Sequence, residues 1–140
     1  MSGGPRGACE STIPGRVAVV GVCAAGKTTL VRLLRAAGYD ARSCAQEHSY
    51  VADMWRRLAR PQALVYLDAA LATINARSAT SYDSAYIDTQ RQRLEHAREH
   101  CDVYVRTDGL DPSQVCAQVI AALGALGVKP SARRDNAKSF

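Results

Sequence analysis

The 140-residue chain lacks the patterns that mark disulfide-rich, zinc-stabilised or membrane proteins. Its five cysteines are odd in number and form no C-x-x-C pair, which argues against a disulfide framework and against a structural zinc site. No apolar run approaches the length of a membrane span, and the first 15 residues have no apolar segment typical of a secretory signal. We therefore expect a cytoplasmic protein with no membrane partner.

The sequence also has little basic excess outside its C-terminal end. The net charge is +5, yet residues 16–127 are nearly balanced in charge, whereas residues 128–140 hold four basic residues and one acidic residue. A short basic end is more often a solvated tail than a nucleic-acid-binding arm, so the charge does not predict a nucleic-acid partner. We expect flexible segments at residues 1–15 and 128–140, with one domain at residues 16–127.

Strand and helix patterns alternate along that domain. The runs "RVAVV", "ALVYLD" and "CDVYVRTD" predict strands, and "YDARSCAQ" is a weaker candidate. Helices are predicted after Lys27, over "SYVADMWRRLAR", "AALATINAR" and "IDTQRQRLEHAREH", and from the Asp111-Pro112 cap onward. The alternation predicts an α/β fold with a small, mostly parallel sheet and helices on both faces.

One motif carries a specific chemistry. "GVCAAGKT" fits the phosphate-binding pattern G-x-x-x-x-G-K-[ST], with a predicted strand before it and a helix after it. Glycines let successive amides turn inward, and the helix start adds a positive dipole end, so the segment is suited to a polyphosphate. The residues expected to bind the nucleotide are Gly21, Val22, Cys23, Ala24, Ala25, Gly26, Lys27, Thr28 and Thr29.

Within this motif the side chains have separate expected roles. Lys27 places a charge between the β- and γ-phosphates, Thr28 offers a hydroxyl to Mg²⁺, and Thr29 offers one towards the α-phosphate. Cys23 is either an oxidisable thiol near a helix start or a small residue tolerated in a tight loop.

Three segments together resemble the P-loop kinases of nucleosides and nucleotides, the thymidylate-kinase-like and adenylate-kinase-like group. They are "GVCAAGKTTLVRLLRAAGYD", "ALVYLDAALATINAR" and "TDGLDPSQVCAQVIAAL". "QEHSYVADMW" also resembles a segment of small bacterial P-loop proteins described only as ATPase-like or kinase-like. The resemblance implies a three-layer P-loop NTPase fold, with ATP and Mg²⁺ as cofactors and a small-molecule acceptor, such as a nucleoside or nucleotide, as partner.

The same resemblance assigns residues 78–86 to a lid-like loop. It implies that Arg77 and the following helix arginines, Arg91, Arg93 and Arg98, neutralise the transferring phosphate; the alternative for the helix arginines is a solvated face paired with Glu95 and Glu99. No Asp-Arg pair follows a second buried strand, where such kinases bind their acceptor.

Two acids compete for the magnesium. Asp68 ends a Walker-B-like strand, although in these kinases an Asp at this place often caps the following helix. Glu47 ends the candidate strand after the first helix; if that strand lies beside "RVAVV", Glu47 faces the γ-phosphate as base or magnesium-water ligand. His48 would then bind an acceptor or cap the next helix. Tyr50 and Trp55 are candidates for an acceptor pocket, with Trp55 alternatively a core residue.

The sequence therefore predicts an ATP-dependent phosphotransferase in which Lys27, Glu47, Arg77 and Arg91 are the candidate catalytic residues. Two alternatives stay open: a nucleotide-binding regulatory ATPase or switch, and a degenerate relative that binds nucleotide without chemistry. No N-K-x-D guanine-recognition motif occurs, which argues against a GTPase switch.

Overall fold

The computed structural model describes residues 12–130; the expected flexible residues 1–11 and basic residues 131–140 lie outside this range. The strands are β1 (Ile13–Gly21), β2 (Asp40–Ser43), β3 (Pro61–Asp68) and β4 (Val103–Arg106). The helices are α1 (Lys27–Ala36), α2 (Met54–Ala59), α3 (Leu71–Arg77), α4 (Ser84–Arg93), α5 (Glu95–His100) and α6 (Pro112–Ala125), with a 3₁₀ turn at Gln46–His48. Between residues 12 and 130, every helix is too short or too polar to traverse a lipid bilayer.

The four strands form one parallel sheet in the order β2-β1-β3-β4, which confirms the α/β prediction. From β1 the chain moves first to one side, to β2, and then crosses to the other side, to β3. Because parallel crossovers are right-handed, this reversal sends α1 to one face of the sheet and α2, α4 and α5 to the other. The arrangement is consistent with a three-layer α/β fold.

The two central strands supply the middle of the core. Val17–Val20 are fully buried, as are the central residues of β3, which explains why both strands appear as nearly continuous apolar runs. Helices α1 and α6 pack on each other over one face. Their buried side chains are Leu30, Val31, Leu34, Val115, Val119 and Leu123.

Both ends of the ordered fold extend beyond the expected domain of residues 16–127. β1 begins at Ile13, whose N–H donates to the Arg60 carbonyl at 2.8 Å. At the other end, Val128 is buried, and its N–H donates to the Leu123 carbonyl at 2.9 Å.

The long helix predicted over residues 49–60 is wrong, because α2 covers only Met54–Ala59. The Gln46 side chain accepts from the Trp55 N–H and donates to the Val51 carbonyl, each at 2.8 Å, and so holds the intervening residues in a turn. Val51 lies in that turn and is exposed, and Leu58 within α2 is exposed too.

The lid-like loop is shorter than residues 78–86, because α4 begins at Ser84. The Asp83 side chain caps that helix by accepting from the Tyr86 N–H at 2.9 Å. The charged helix predicted over residues 87–100 is confirmed apart from an interruption at Leu94, which separates α4 from α5 and is buried, as is Ala97.

In the last helix, Asp111 is the predicted cap and forms a capping box with Gln114. Leu126, the C-cap of that helix, is exposed.

Candidate functional site

The candidate site lies at the carboxyl end of β1, where residues 22–26, here called the β1–α1 loop, lead into α1. β1 is the strand at which the sheet order reverses, with β2 on one side and β3 on the other. In open α/β sheets, ligands bind in the crevice outside the strand ends at such a reversal. The topology therefore places the motif identified from sequence at the usual ligand position of this architecture.

The two glycines of the motif are required for different reasons. A Cβ at Gly21 would overlap the backbone carbonyl of Leu67, because β1 and β3 approach closely there. Gly26 has open space around it but a φ of +105°, which an L side chain adopts only with strain. Gly26 is also the N-cap of α1, and no side chain in residues 12–130 caps that helix. The first amides of α1 are therefore left without a side-chain acceptor.

Lys27 is folded back onto its own loop. Its Nζ donates to the carbonyl oxygens of Gly21 at 2.9 Å and Val22 at 3.1 Å, and it lies 2.9 Å from Glu47 Oε2. Glu47 follows β2, and β2 pairs directly with β1, as the sequence analysis anticipated. His48 is half exposed, with Nε2 3.7 Å from the same carboxylate oxygen. The lysine and the acid therefore meet at the ends of neighbouring strands.

One carboxylate oxygen of Glu47 has no hydrogen-bond partner among residues 12–130. The residue is only 4% exposed, and its Oε1 is buried without a hydrogen-bond partner among residues 12–130. A buried acceptor left unpaired costs roughly 1–3 kcal/mol, so such an atom requires an explanation. A hydrogen-bond donor, a water or a cation is the type of partner that it lacks. Thr28, at the second position of α1, presents an exposed side chain near the same loop.

Asp68, the competing acid, is already engaged through both carboxylate oxygens. Its Oδ1 accepts from Arg91 at 3.1 Å and from the Ala69 N–H at 2.9 Å, and its Oδ2 accepts from the Tyr104 hydroxyl at 2.9 Å. Ala70, not Asp68, is the N-cap of α3, so the capping role expected for Asp68 is wrong. Of the two acids, Glu47 is the one with a carboxylate oxygen that has no hydrogen-bond partner among residues 12–130.

Two tyrosines share the environment of Asp68. Burial and then the negative charge of Asp68 raise the pKa of Tyr66 well above its usual range. Burial also raises the pKa of Tyr104, and the hydrogen bond to Asp68 raises it further. The guanidinium of Arg98 lies 3.8 Å from the centre of the Tyr104 ring, so this arginine stacks on a ring.

Helix α4 is bonded to the ends of three strands through neighbouring side chains. Gln90 Oε1 accepts from the Cys23 N–H after β1 at 2.9 Å, and Arg91 reaches Asp68 at the end of β3. Arg93 Nη1 donates to the carbonyl oxygen of Glu47 after β2 at 3.4 Å. Gln90 was not predicted as a site residue, although its position between Ile87 and Leu94 in an apolar stripe marks it as a buried polar side chain.

Arg77 connects the β1–α1 loop to the chain that follows β4. Its Nη1 donates to the Ala24 carbonyl at 3.1 Å and to Thr107 Oγ1 at 2.9 Å, and its Nη2 donates to the Thr107 carbonyl at 2.7 Å. Beside it lies a cavity of about 190 Å³. The lining includes Ala24, Gly26, Thr29, Arg77, Leu110 and Pro112.

The remaining candidates lie at the rim or in the core. Trp55 is buried in the core, whereas Tyr50 is 89% exposed, with the Arg93 guanidinium 4.6 Å from its ring centre. Cys23 is a partly exposed free thiol, and Cys44 is buried, its pKa raised by burial to about 11. In the described part of the chain, no three His, Cys, Asp or Glu side chains form a cluster able to hold a metal ion.

Protein-family models give no match to this chain, and no curated protein matches it.

Proposed function

We propose that this chain is a small P-loop phosphotransferase, which binds Mg-ATP at the β1–α1 loop and transfers the γ-phosphate to a small-molecule acceptor. The observation that carries the proposal is the position of Lys27. Its ammonium group lies between two loop carbonyls and the buried Glu47 carboxylate, at the strand end where the sheet order reverses.

The nucleotide would use two neighbouring features. The uncapped start of α1 and the loop amides offer donors and a positive dipole end to the phosphates, and Lys27 adds a full charge. The cavity beside Thr29 and Arg77 would take the nucleoside, with apolar contacts from Leu110 and Pro112 and the guanidinium plane on one side.

Magnesium fits the residues of this site. Glu47 Oε1 is a buried carboxylate oxygen in need of a partner, and Thr28 supplies a hydroxyl; one carboxylate with phosphates and waters is a common magnesium environment. When bound, the ion would neutralise charge on the β- and γ-phosphates.

In the proposed reaction, the acceptor hydroxyl attacks the γ-phosphorus, a new O–P bond forms, and the bond to the β-phosphate oxygen breaks. Glu47 takes the hydroxyl proton through Oε1 when the phosphates, Thr28 and waters alone hold the ion; when Glu47 holds the ion, the proton leaves to solvent. Lys27 must leave the Gly21 and Val22 carbonyls to follow the charge that develops on the phosphates. Arg91 is hydrogen-bonded to Asp68, and Arg77 is hydrogen-bonded to Thr107. Both arginines therefore already connect the segments around the site before a phosphate is bound.

Hydrolysis of ATP is the second candidate. The same Glu47 carboxylate would accept a proton from water as readily as from an alcohol, so the geometry that supports transfer supports a hydrolase too. The two differ in one readout: ADP production by a phosphotransferase rises when its acceptor is added, and ADP production by a hydrolase does not.

Titration calorimetry with ATP, with and without Mg²⁺, tests the binding step. We expect saturable heat from the wild type, and a loss on the order of 100-fold in affinity for Lys27→Met, because a charge-assisted contact to phosphate is removed. Lys129→Met is the matched control, since Lys129 is exposed and distant in sequence from the loop. Equal affinities for Lys27→Met and wild type would refute the proposal.

A further inference from the structure

Gln90 occupies a position where an apolar side chain would be expected. It is 1% exposed and lies on the buried stripe of α4 and the following turn, with Ile87 and Leu94 as its apolar neighbours. A leucine or methionine there would continue the stripe without burying a primary amide. The presence of an amide at this position requires an explanation, because burying an amide group without hydrogen-bond partners costs about 1–3 kcal/mol.

The oxygen of the Gln90 amide has a hydrogen-bond partner in the β1–α1 loop. Oε1 accepts from the Cys23 N–H at 2.9 Å, which fixes the orientation of the amide, since its other end is then the NH₂ group. Nε2 is buried and has no acceptor among residues 12–130. Gln90 therefore presents a donor without an acceptor at the base of the β1–α1 loop.

The unpartnered donor of Gln90 has a counterpart in Glu47 Oε1, an unpartnered acceptor. Gln90 is bonded to Cys23 and Glu47 to Lys27, so both side chains are tied to the residues of the β1–α1 loop and the start of α1. A water can pair with either atom, whereas a phosphate with its cation pairs with both and also matches the charge of Lys27, because phosphate oxygens accept and the cation or its waters serve the carboxylate.

We propose that Gln90 Nε2 binds the terminal phosphate of a bound nucleoside triphosphate, so that Gln90 distinguishes triphosphate from diphosphate. This inference rests on the proposed function. Nε2 is shielded from water in the present conformation, so the loop must shift when the phosphate enters, at the same time as Lys27 releases the Gly21 and Val22 carbonyls. Gln90 thereby links α4 to the state of the nucleotide.

The test compares Gln90→Met with the wild type by calorimetry, using Mg-ADP and the Mg complex of a non-hydrolysable ATP analogue with an imido β–γ bridge. We expect the variant to lose on the order of tenfold in affinity for the triphosphate and less than about twofold for ADP, as fits one lost hydrogen bond to a charged group. Gln92→Met on the same helix is the matched control, because Gln92 is exposed. Equal losses for both nucleotides would show that Gln90 only shapes the loop, and would overturn the inference.

A second measurement uses only the wild-type protein, so it does not depend on whether a variant folds. In a ¹⁵N NMR spectrum of the wild type, the assigned Gln90 side-chain NH₂ signals should shift with the triphosphate analogue and stay near their free positions with ADP; identical shifts with both overturn the inference. A wild type that binds neither nucleotide refutes the proposed function and this inference together. A wild type that binds both, with an unchanged triphosphate preference in Gln90→Met, refutes the inference alone.

Discussion

Lys27 Nζ and Glu47 Oε2 form a 2.9 Å ion pair between the residues that follow two neighbouring parallel strands. Both side chains are largely buried, with 13% and 5% of their surfaces exposed. Removing one partner of such a pair leaves the other charge buried and unpaired, whereas removing both leaves no unpaired charge.

We therefore predict that Lys27→Met lowers the free energy of unfolding by about 3 kcal/mol, since Glu47 is left as an unpaired buried carboxylate. The double variant Lys27→Met/Glu47→Gln should recover most of that loss. Urea unfolding followed by circular dichroism measures both. If the double variant is as unstable as the single one, the two side chains are not energetically coupled.

The two motif glycines should respond differently to alanine. Gly21→Ala forces a Cβ into the Leu67 carbonyl, so the central strands must separate, and we expect loss of the folded state at 37 °C. Gly26→Ala meets no neighbouring atom and carries only the strain of its positive φ, about 1–3 kcal/mol. Thermal denaturation ranks the two variants. A more stable Gly21→Ala would contradict the close approach of β1 and β3.

The buried tyrosines predict a loss of stability in alkali. Because the pKa of Tyr66 is raised in the folded state, the unfolded chain releases that proton first, so stability is complete below about pH 10 and falls as the pH rises further. Tyr66→Phe removes this titration and should make the decline shallower, though Tyr104 still contributes. The exposed Tyr50→Phe is the control, with no expected change in the slope. The measurement is the urea midpoint of unfolding at several pH values between 9 and 11.5. If the midpoint of Tyr66→Phe falls with pH as steeply as that of the wild type, the prediction is wrong.

Arg77→Ala should weaken the connection between the β1–α1 loop and the segment after β4. We expect a loss of about 1–3 kcal/mol in unfolding free energy, because Arg77 donates to Ala24 and Thr107. Under the proposed function, ADP and ATP should both bind less tightly. Arg32→Ala, an exposed arginine of α1, serves as control. An effect on turnover alone, with affinity and stability unchanged, would instead place Arg77 at the transferring phosphate.

Sequence patterns predicted the strands well, because buried parallel strands are apolar throughout and carry their signal locally. The same local reasoning failed over residues 49–53, which were predicted as helix but which the Gln46 side chain holds in a turn.

The site was predictable where it lies within one segment. The loop motif and Lys27 are contiguous, and the placement of Glu47 beside them followed from the order of the strands. The contact from Gln90 to Cys23 joins residues that are 67 positions apart, and no local pattern gives such a distance. Polar side chains within apolar stripes are the one sequence signal that points to contacts of this kind.

Helix α4 buries only Ile87 and Gln90 and is otherwise fastened through polar bonds to the strand ends. The free energy of hydrophobic packing does not weaken on warming near room temperature. The favourable enthalpy of polar hydrogen bonds, by contrast, is increasingly offset by the conformational entropy that the helix gains when it detaches. Heat should therefore detach α4 while the central strands of the sheet remain intact.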